Sequence, residues 1–127
     1  MVADIGRIAI LTPDAGDVDR YDDWREQADR FDALLPEVTI DYPPWVAADL
    51  DRYALVLPLM AWGYHRQSVR WIAALERWEA SAVRLANSLA IVRANTDKRY
   101  LLNLAARGVA VVPTLYTAAL TRDDLAG

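Results

Sequence analysis

Apolar residues fall along this chain in two alternating ways, as short dense runs and as stripes spaced three and four apart. Arg7–Leu11 is the first dense run: Ile8, Ala9, Ile10 and Leu11 are apolar without a break, the pattern of a strand covered on both faces. Asp22 to Leu35 has helical spacing instead. Trp24, Ala28, Phe31 and Leu35 share a face, and Arg25–Asp29 and Glu26–Arg30 are i,i+4 pairs on the wet side. Pro36 ends that helix. Val38–Tyr42 alternates, which predicts a second strand at or near an edge, and Pro43-Pro44 cannot continue it. Tyr53–Leu57 is dense again and predicts a third strand. Pro58 belongs at its C-terminal end, since proline has no N–H for a central ladder. Ser68 to Ala80 predicts a second helix with Trp71, Ile72, Leu75 and Trp78 on one side. Ala82–Leu85 predicts a fourth short strand, Ser88–Arg93 a helical turn, Asp97–Arg107 another helix, Val109–Val112 a last strand, and Ala118 to Gly127 a short helical tail.

Strands alternating with helices imply right-handed crossovers and an α/β fold, a three-layer Rossmann-like, mostly parallel sheet with flanking helices. In such sheets ligands collect beyond the C-terminal strand ends, where the strand order switches. Those ends carry Thr12–Asp17, Leu59–His65 and Asn87.

Asn95-Thr96-Asp97-Lys98 is a polar knot ahead of the last helix. Thr96 or Asn95 is the expected N-cap, Asp97 suits the positive end of the helix dipole, and Gly108 supplies the left-handed residue past Arg107. Leu101, Leu104 and Ala105 share a face. Lys98 beside a helix N-terminus reads either as a point-charge contact to phosphate or as an ordinary surface lysine.

The 127 residues suit one domain, and 54% hydrophobic with 25% charged residues predicts a packed core. A formal charge of −4 without a basic stripe argues against nucleic acid. Cysteine is absent, which excludes disulfides and thiol catalysis. No signal peptide and no apolar run of spanning length is present, so the expectation is a cytoplasmic protein with no membrane partner. His65 is the one histidine, too few for a metal cluster, and G-x-S-x-G, G-x-G-x-x-G and P-loop patterns are missing. Asp14, Asp17, Asp19, Asp22 and Asp23 form an acidic stretch, readable as the Mg2+ pocket of a receiver-like domain or, with looser spacing, as a solvated loop. Trp62-Gly63-Tyr64 puts two aromatics on one loop, either to cover the sheet edge or to meet a ligand or partner.

One ordered series of segments carries a resemblance. Tyr53-Ala54-Leu55-Val56-Leu57-Pro58, Trp62-Gly63-Tyr64-His65, Trp71, Val83-Arg84-Leu85-Ala86-Asn87, Asn95 through Leu101, Gly108-Val109 and Val112-Pro113-Thr114 together resemble the N-terminal part of ATP-grasp proteins of the glutathione synthetase-like group. The resemblance implies a pre-ATP-grasp α/β domain over residues 1–94 and the leading segment of an ATP-grasp region over 95–127. It implies the substrate side of a ligase that joins a carboxylate to an amine or thiol through an acyl-phosphate. Trp62, Tyr64, His65 and Asn87 would line the acceptor side, and Lys98 would reach ATP phosphates. ATP and Mg2+ are implied for a complete enzyme, with no tight binding of either by this chain alone and no catalytic residue within it. The family's second ATP lysine, its glycine-rich flap and its Mg2+ ligands have no counterpart here, so the chain is expected to be inactive without ATP-grasp lobes supplied in cis or in trans. Two departures stand out: many relatives carry a basic residue near Leu59 and an acidic one where Gly63 stands. The other expected partners are a small carboxylate or amine substrate and a second copy in a homodimer. The order of elements puts the Trp62–His65 rim and the helix start at Lys98 at the same end of the sheet. A stand-alone interaction module using that rim, or a receiver-like regulatory domain, are the alternatives.

Overall fold

Ile8–Leu11, the first dense apolar run, lies in the middle of the sheet. The computed structural model describes residues 6–117, and the expected helical tail Ala118 to Gly127 lies outside the described residues. Strand β1, Ile8–Ile10, is flanked by strand β2, Ile40–Asp41, on one side and strand β3, Leu55–Leu57, on the other, both parallel to it. Ile8 stands opposite Ile40 and Leu55, Ala9 opposite Asp41 and Val56, and Ile10 opposite Leu57. A strand paired on both edges and covered on both faces has no position for a polar side chain, hence the unbroken run. The alternating segment forms the outer strand β2, as its pattern predicts. Helix α1, Trp24–Leu34, connects β1 to β2, and helix α2, Ser68–Glu79, follows β3. Helix α3 is Leu89–Thr96 and helix α4 is Tyr100–Ala106. The architecture is α/β and Rossmann-like. Among the described residues no helix is long and apolar enough to cross a membrane.

The core sits mainly on one face of the sheet. Ala9, Leu11 and Val56 meet Trp71, Ala74, Leu75 and Trp78 of α2, together with Trp45, Leu50, Tyr53 and Ala61. Ile8 and Ile10, also buried, alternate to the opposite face. Ile72 departs from the expected face and is 40% exposed. One residue along a helix is a rotation of about 100°, so Ile72 cannot share the side held by Trp71 and Leu75. Helix α1 buries Ala28 and is pinned by Tyr42, whose hydroxyl lies 2.8 Å from Asp32 Oδ1 and 3.0 Å from the Ala28 carbonyl. Leu35, expected on the buried stripe, falls past the helix end and is 43% exposed.

The prolines act as the pattern requires, with one refinement. Pro58 directly follows β3. Pro43 and Pro44 do end β2, yet contact with the central strand resumes for one bridge: Thr12 N–H donates to the Pro43 carbonyl at 2.9 Å, and Trp45 N–H donates to the Thr12 carbonyl at 3.0 Å. A proline lacks only the donor, and its carbonyl remains able to accept.

The expected fourth strand, Ala82–Leu85, is reduced to a single parallel bridge between Val56 and Leu85. Val56 N–H donates to the Arg84 carbonyl at 2.7 Å and Ala86 N–H to the Val56 carbonyl at 3.0 Å. Turns at Ser81-Ala82 and Ala86-Asn87 leave too little extended chain for a ladder. Ser88 caps α3, accepting from Ile91 N–H at 3.4 Å, so the helix starts where expected but runs beyond Arg93 to Thr96.

The chain divides into two units, Met1–Arg93 and Ala94–Gly127. Within the second, Gly108 adopts φ +80°, Gly108 N–H donates to the Ala105 carbonyl at 3.0 Å, and Val109 N–H donates to the Leu104 carbonyl at 3.1 Å. That pair of bonds is a Schellman C-terminus, with Val109 and Leu104 as its apolar partners. The expected strand Val109–Val112 does not form: no residue of it pairs with another described strand, and Val112 is 77% exposed. Apolar β-branched residues favour extended chain, but only a neighbouring edge makes them a strand.

Candidate functional site

The order β2-β1-β3 fixes where a site belongs. The connection leaving β1 goes to the β2 side, whereas β3 lies on the other side of β1, so the strand order switches between β1 and β3. Loops leaving those two strands diverge and open a crevice at their C-terminal ends. After β1 come Thr12–Asp17 and the turns to Tyr21 and Asp23. After β3 come Pro58 to Gly63 and a 3₁₀ turn, Tyr64–Arg66. Met60 N–H donates to the Leu11 carbonyl at 3.0 Å and holds the second loop beside the first.

A cavity of about 360 Å³ lies between these loops, lined by Tyr21, Asp23, Trp62, Gly63, Tyr64 and His65. The rings of Tyr21 and Trp62 are 6.3 Å apart and tilted by 51°. Tyr64 stacks on Trp71 with centroids 4.5 Å apart and stands edge-on to His65 at 6.0 Å. One face of Tyr64 therefore belongs to the core, while the ring also borders the cavity. Gly63 has φ +85°, and a Cβ there would stand 2.6 Å from Asp17 Oδ2 and 3.0 Å from the Tyr21 ring. An acidic side chain at this position has no room, because the carboxylate of Asp17 already occupies it.

Asp14 and Asp17 depart from the solvated-loop expectation, whereas Asp19, Asp22 and Asp23 are exposed as it requires. Asp14 and Asp17 are each only 7% exposed. Arg70 Nη1 donates to Asp14 Oδ2 at 2.7 Å, and Gln67 Nε2 donates to Asp17 Oδ2 at 2.9 Å, with Arg66 Nε 3.8 Å from Asp17 Oδ1. Arg70 also donates to the Gln67 amide oxygen, so one continuous network ties the loop after β1 to the start of α2. Burial pushes the Asp14 carboxyl up, but the hydrogen bond and charge of Arg70, with Ala15 N–H and Gln67, outweigh it and hold the group below its ordinary range. These residues brace the loops beside the cavity without lining it, and they escape a reading by motif. Their signal is faint, two aspartates after one strand and Gln67 and Arg70 one turn apart after another. Among the described residues no group of three or more histidines, aspartates and glutamates is placed to hold a metal ion.

Arg70→Ala leaves Asp14 buried without its cation. At neutral pH the expected loss is about 1–3 kcal/mol, the cost of a buried acceptor left unpaired. The sign of its pH dependence follows from the direction of the shift. In the native chain Asp14 titrates below its unfolded value, so its contribution is complete above that value and fades as pH falls through the folded one. The gap between native and variant protein should therefore narrow as pH falls below the ordinary carboxylate range and Asp14 takes up its proton. Urea denaturation at pH 7 and near pH 3 measures it, and a gap that widens in acid would be the wrong sign.

Of the residues that the sequence singled out, Trp62, Tyr64 and His65 come together in the cavity, whereas Asn87 is exposed beyond the Leu85 bridge and is not among its lining residues. Lys98 lies in the second unit, in the turn between α3 and α4. Its ammonium is 5.6 Å from the centroid of the Tyr100 ring, and its carbonyl accepts from the Tyr116 hydroxyl. Asn95 and Thr96 are not N-caps but the last residues of α3. Asp97 answers the free N–H groups, accepting from Arg99 N–H at 2.9 Å, and the Arg99 guanidinium closes back on the same carboxylate, which holds Asp97 below the usual range. The polar knot prolongs α3 through Thr96, and α4 starts later, at Tyr100.

No family model matches the sequence, and no curated protein matches it significantly. Among solved structures the chain is similar to the crystal structure of D-cycloserine synthetase DcsG, with a TM-score of 0.68 and 28% identity over 85% of this chain and 36% of that one. The chain resembles part of an ATP-grasp-type ligase. It spans 36% of that protein's length, and the likeness points to an ATP-grasp-related domain without singling out the glutathione synthetase-like group.

Proposed function

We propose that this chain is the substrate-side domain of an ATP-grasp ligase that joins a carboxylate to an amine or thiol, and that it does not turn over ATP by itself. The observation that carries the proposal is the likeness to D-cycloserine synthetase DcsG across 85% of the chain. The cavity at the β1/β3 switch supports it, since a ligand held by the Trp62–His65 loop would lie at the mouth of the sheet. Its volume is at the small end of ligand pockets and suits an amino-acid-sized molecule. Trp62, Tyr64 and His65 are the proposed acceptor contacts, with Asp17, Gln67 and Arg70 as the groups that position them. Lys98 is the proposed contact to ATP phosphate. Its ammonium, resting near the Tyr100 ring, would have to leave that ring to reach a nucleotide. Phosphoryl transfer needs Mg2+ and several cations acting together, and a single lysine does not meet that requirement.

ADP release from Mg·ATP, measured with a panel of amino acids and small amines, tests this reading. The chain alone should stay at background. Addition of ATP-grasp lobes produced as a separate polypeptide should give ADP release that depends on both the acceptor and this chain. Turnover by the chain alone would refute its dependence on other lobes, and a mixture in which this chain changes nothing would refute the ligase assignment.

A further inference from the structure

The lining of the cavity is uneven in charge. Among the described residues that line it, Tyr21, Trp62 and Tyr64 are aromatic, another is the acidic Asp23, and there is neither lysine nor arginine. Asp23 stands at the N-cap position of α1 but spends its side chain on no cap, and among the described residues no ion pair engages it. On the α2 side the Arg66 guanidinium faces Asp17 and that of Arg70 pairs with Asp14. Facing groups from the loop after β3 are Trp62, Tyr64 and the imidazole of His65.

We propose that this cavity is a binding site for a small primary ammonium group, the amine partner of the ligation rather than its carboxylate. Aromatic faces attract a cation through their quadrupole, and a carboxylate beside them adds a direct counter-charge. The tilted pair of Tyr21 and Trp62 forms two walls of the site, Tyr64 is held rigid by its stack on Trp71, and Asp23 supplies the charge at the rim. A carboxylate in the same place would meet Asp23 with like charge and find no guanidinium or ammonium on the lining. The selectivity is therefore for the sign of the charge before it is for shape. This proposal rests on the ligase reading only for the role of the amine, and the binding itself stands or falls alone.

Two probes of similar size separate the possibilities: alaninamide, which carries an ammonium and no carboxylate, and N-acetylalanine, which carries the reverse. Binding to the full chain is read from the indole N–H resonances of the tryptophans and from the thermal midpoint, without ATP. Alaninamide should bind with millimolar affinity and shift the Trp62 resonance, and N-acetylalanine should not. Asp23→Asn should weaken alaninamide roughly tenfold, as should Trp62→Leu. Asparagine caps a helix as well as aspartate, so D23N keeps α1 and isolates the charge. Equal or tighter binding of N-acetylalanine, no binding of alaninamide, or an unchanged affinity in D23N would each overturn the proposal. Alaninamide binding by a chain that changes nothing when mixed with ATP-grasp lobes in the ADP assay would leave the ammonium site standing and remove the ligase reading, and the reverse pattern would do the opposite.

Discussion

Trp71→Ala should cost about 3–5 kcal/mol, the usual range for truncating a fully packed aromatic residue. Trp71 is 3% exposed and is the hub of the aromatic core. Trp45 meets it edge-on at 5.4 Å, Trp78 edge-on at 5.5 Å, and Tyr64 stacks on it at 4.5 Å. Its neighbours are themselves large rings, which cannot collapse into the space without leaving their rotamers, so the cavity stays open. Single domains are stable by only about 5–15 kcal/mol, and this one substitution removes a large share. Two measurements check it. The urea midpoint should fall steeply, and the near-UV circular dichroism of the coupled indoles should weaken even where the variant remains folded. Trp71→Phe, which keeps a ring against Tyr64, should recover more than half of the loss. A loss below about 1 kcal/mol for the alanine variant would mean that the stack contributes little.

The second large effect is expected at Gly63. Gly63→Ala puts a Cβ on a residue at φ +85° and brings it to 2.6 Å from Asp17 Oδ2. The left-handed backbone costs an ordinary residue about 1–2 kcal/mol. Asp17 cannot step aside cheaply, since it is buried and held by Gln67, and forced displacement in a packed region adds about 1–3 kcal/mol. The sum, about 2–5 kcal/mol, would lower the melting temperature by roughly 10–15 °C in a chain of this size. Gly108→Ala is the internal control. Its φ of +80° is nearly the same, but a Cβ there meets nothing within 4 Å, so only the backbone term applies. Scanning calorimetry of the two variants separates strain from collision, and equal losses would show that Asp17 yields after all.

How far the sequence reaches can be seen residue by residue. Ile8–Leu11 announces a central strand because burial on both faces excludes polar residues, and Pro58 and Gly108 mark their stops because backbone chemistry leaves little choice. Trp62, Tyr64 and His65 are legible as a rim, since a loop after a dense strand has a known place in a parallel sheet. Ile72 misleads because a one-residue offset is hard to read from four apolar letters. Asn95 and Thr96 mislead because they end one helix instead of starting the next, and the local contact with Arg99 is made by Asp97. Least legible is the pair Asp14 and Arg70, 56 positions apart. Neither periodicity nor propensity records which distant side chains will meet, so two aspartates of a loop that looks solvated from its letters are instead buried and tied to the start of α2.

The place of β1 at the centre of the sheet also sets an order of events during synthesis. Its partners are Ile40–Asp41 and Leu55–Leu57, and Leu11 is closed by Met60. A growing chain therefore carries four unpaired apolar residues for some fifty positions before their second neighbour emerges from the ribosome, a delay of several seconds at roughly 5–20 residues per second. Over that interval Ile8–Leu11 keeps an open edge on which foreign strands can pair.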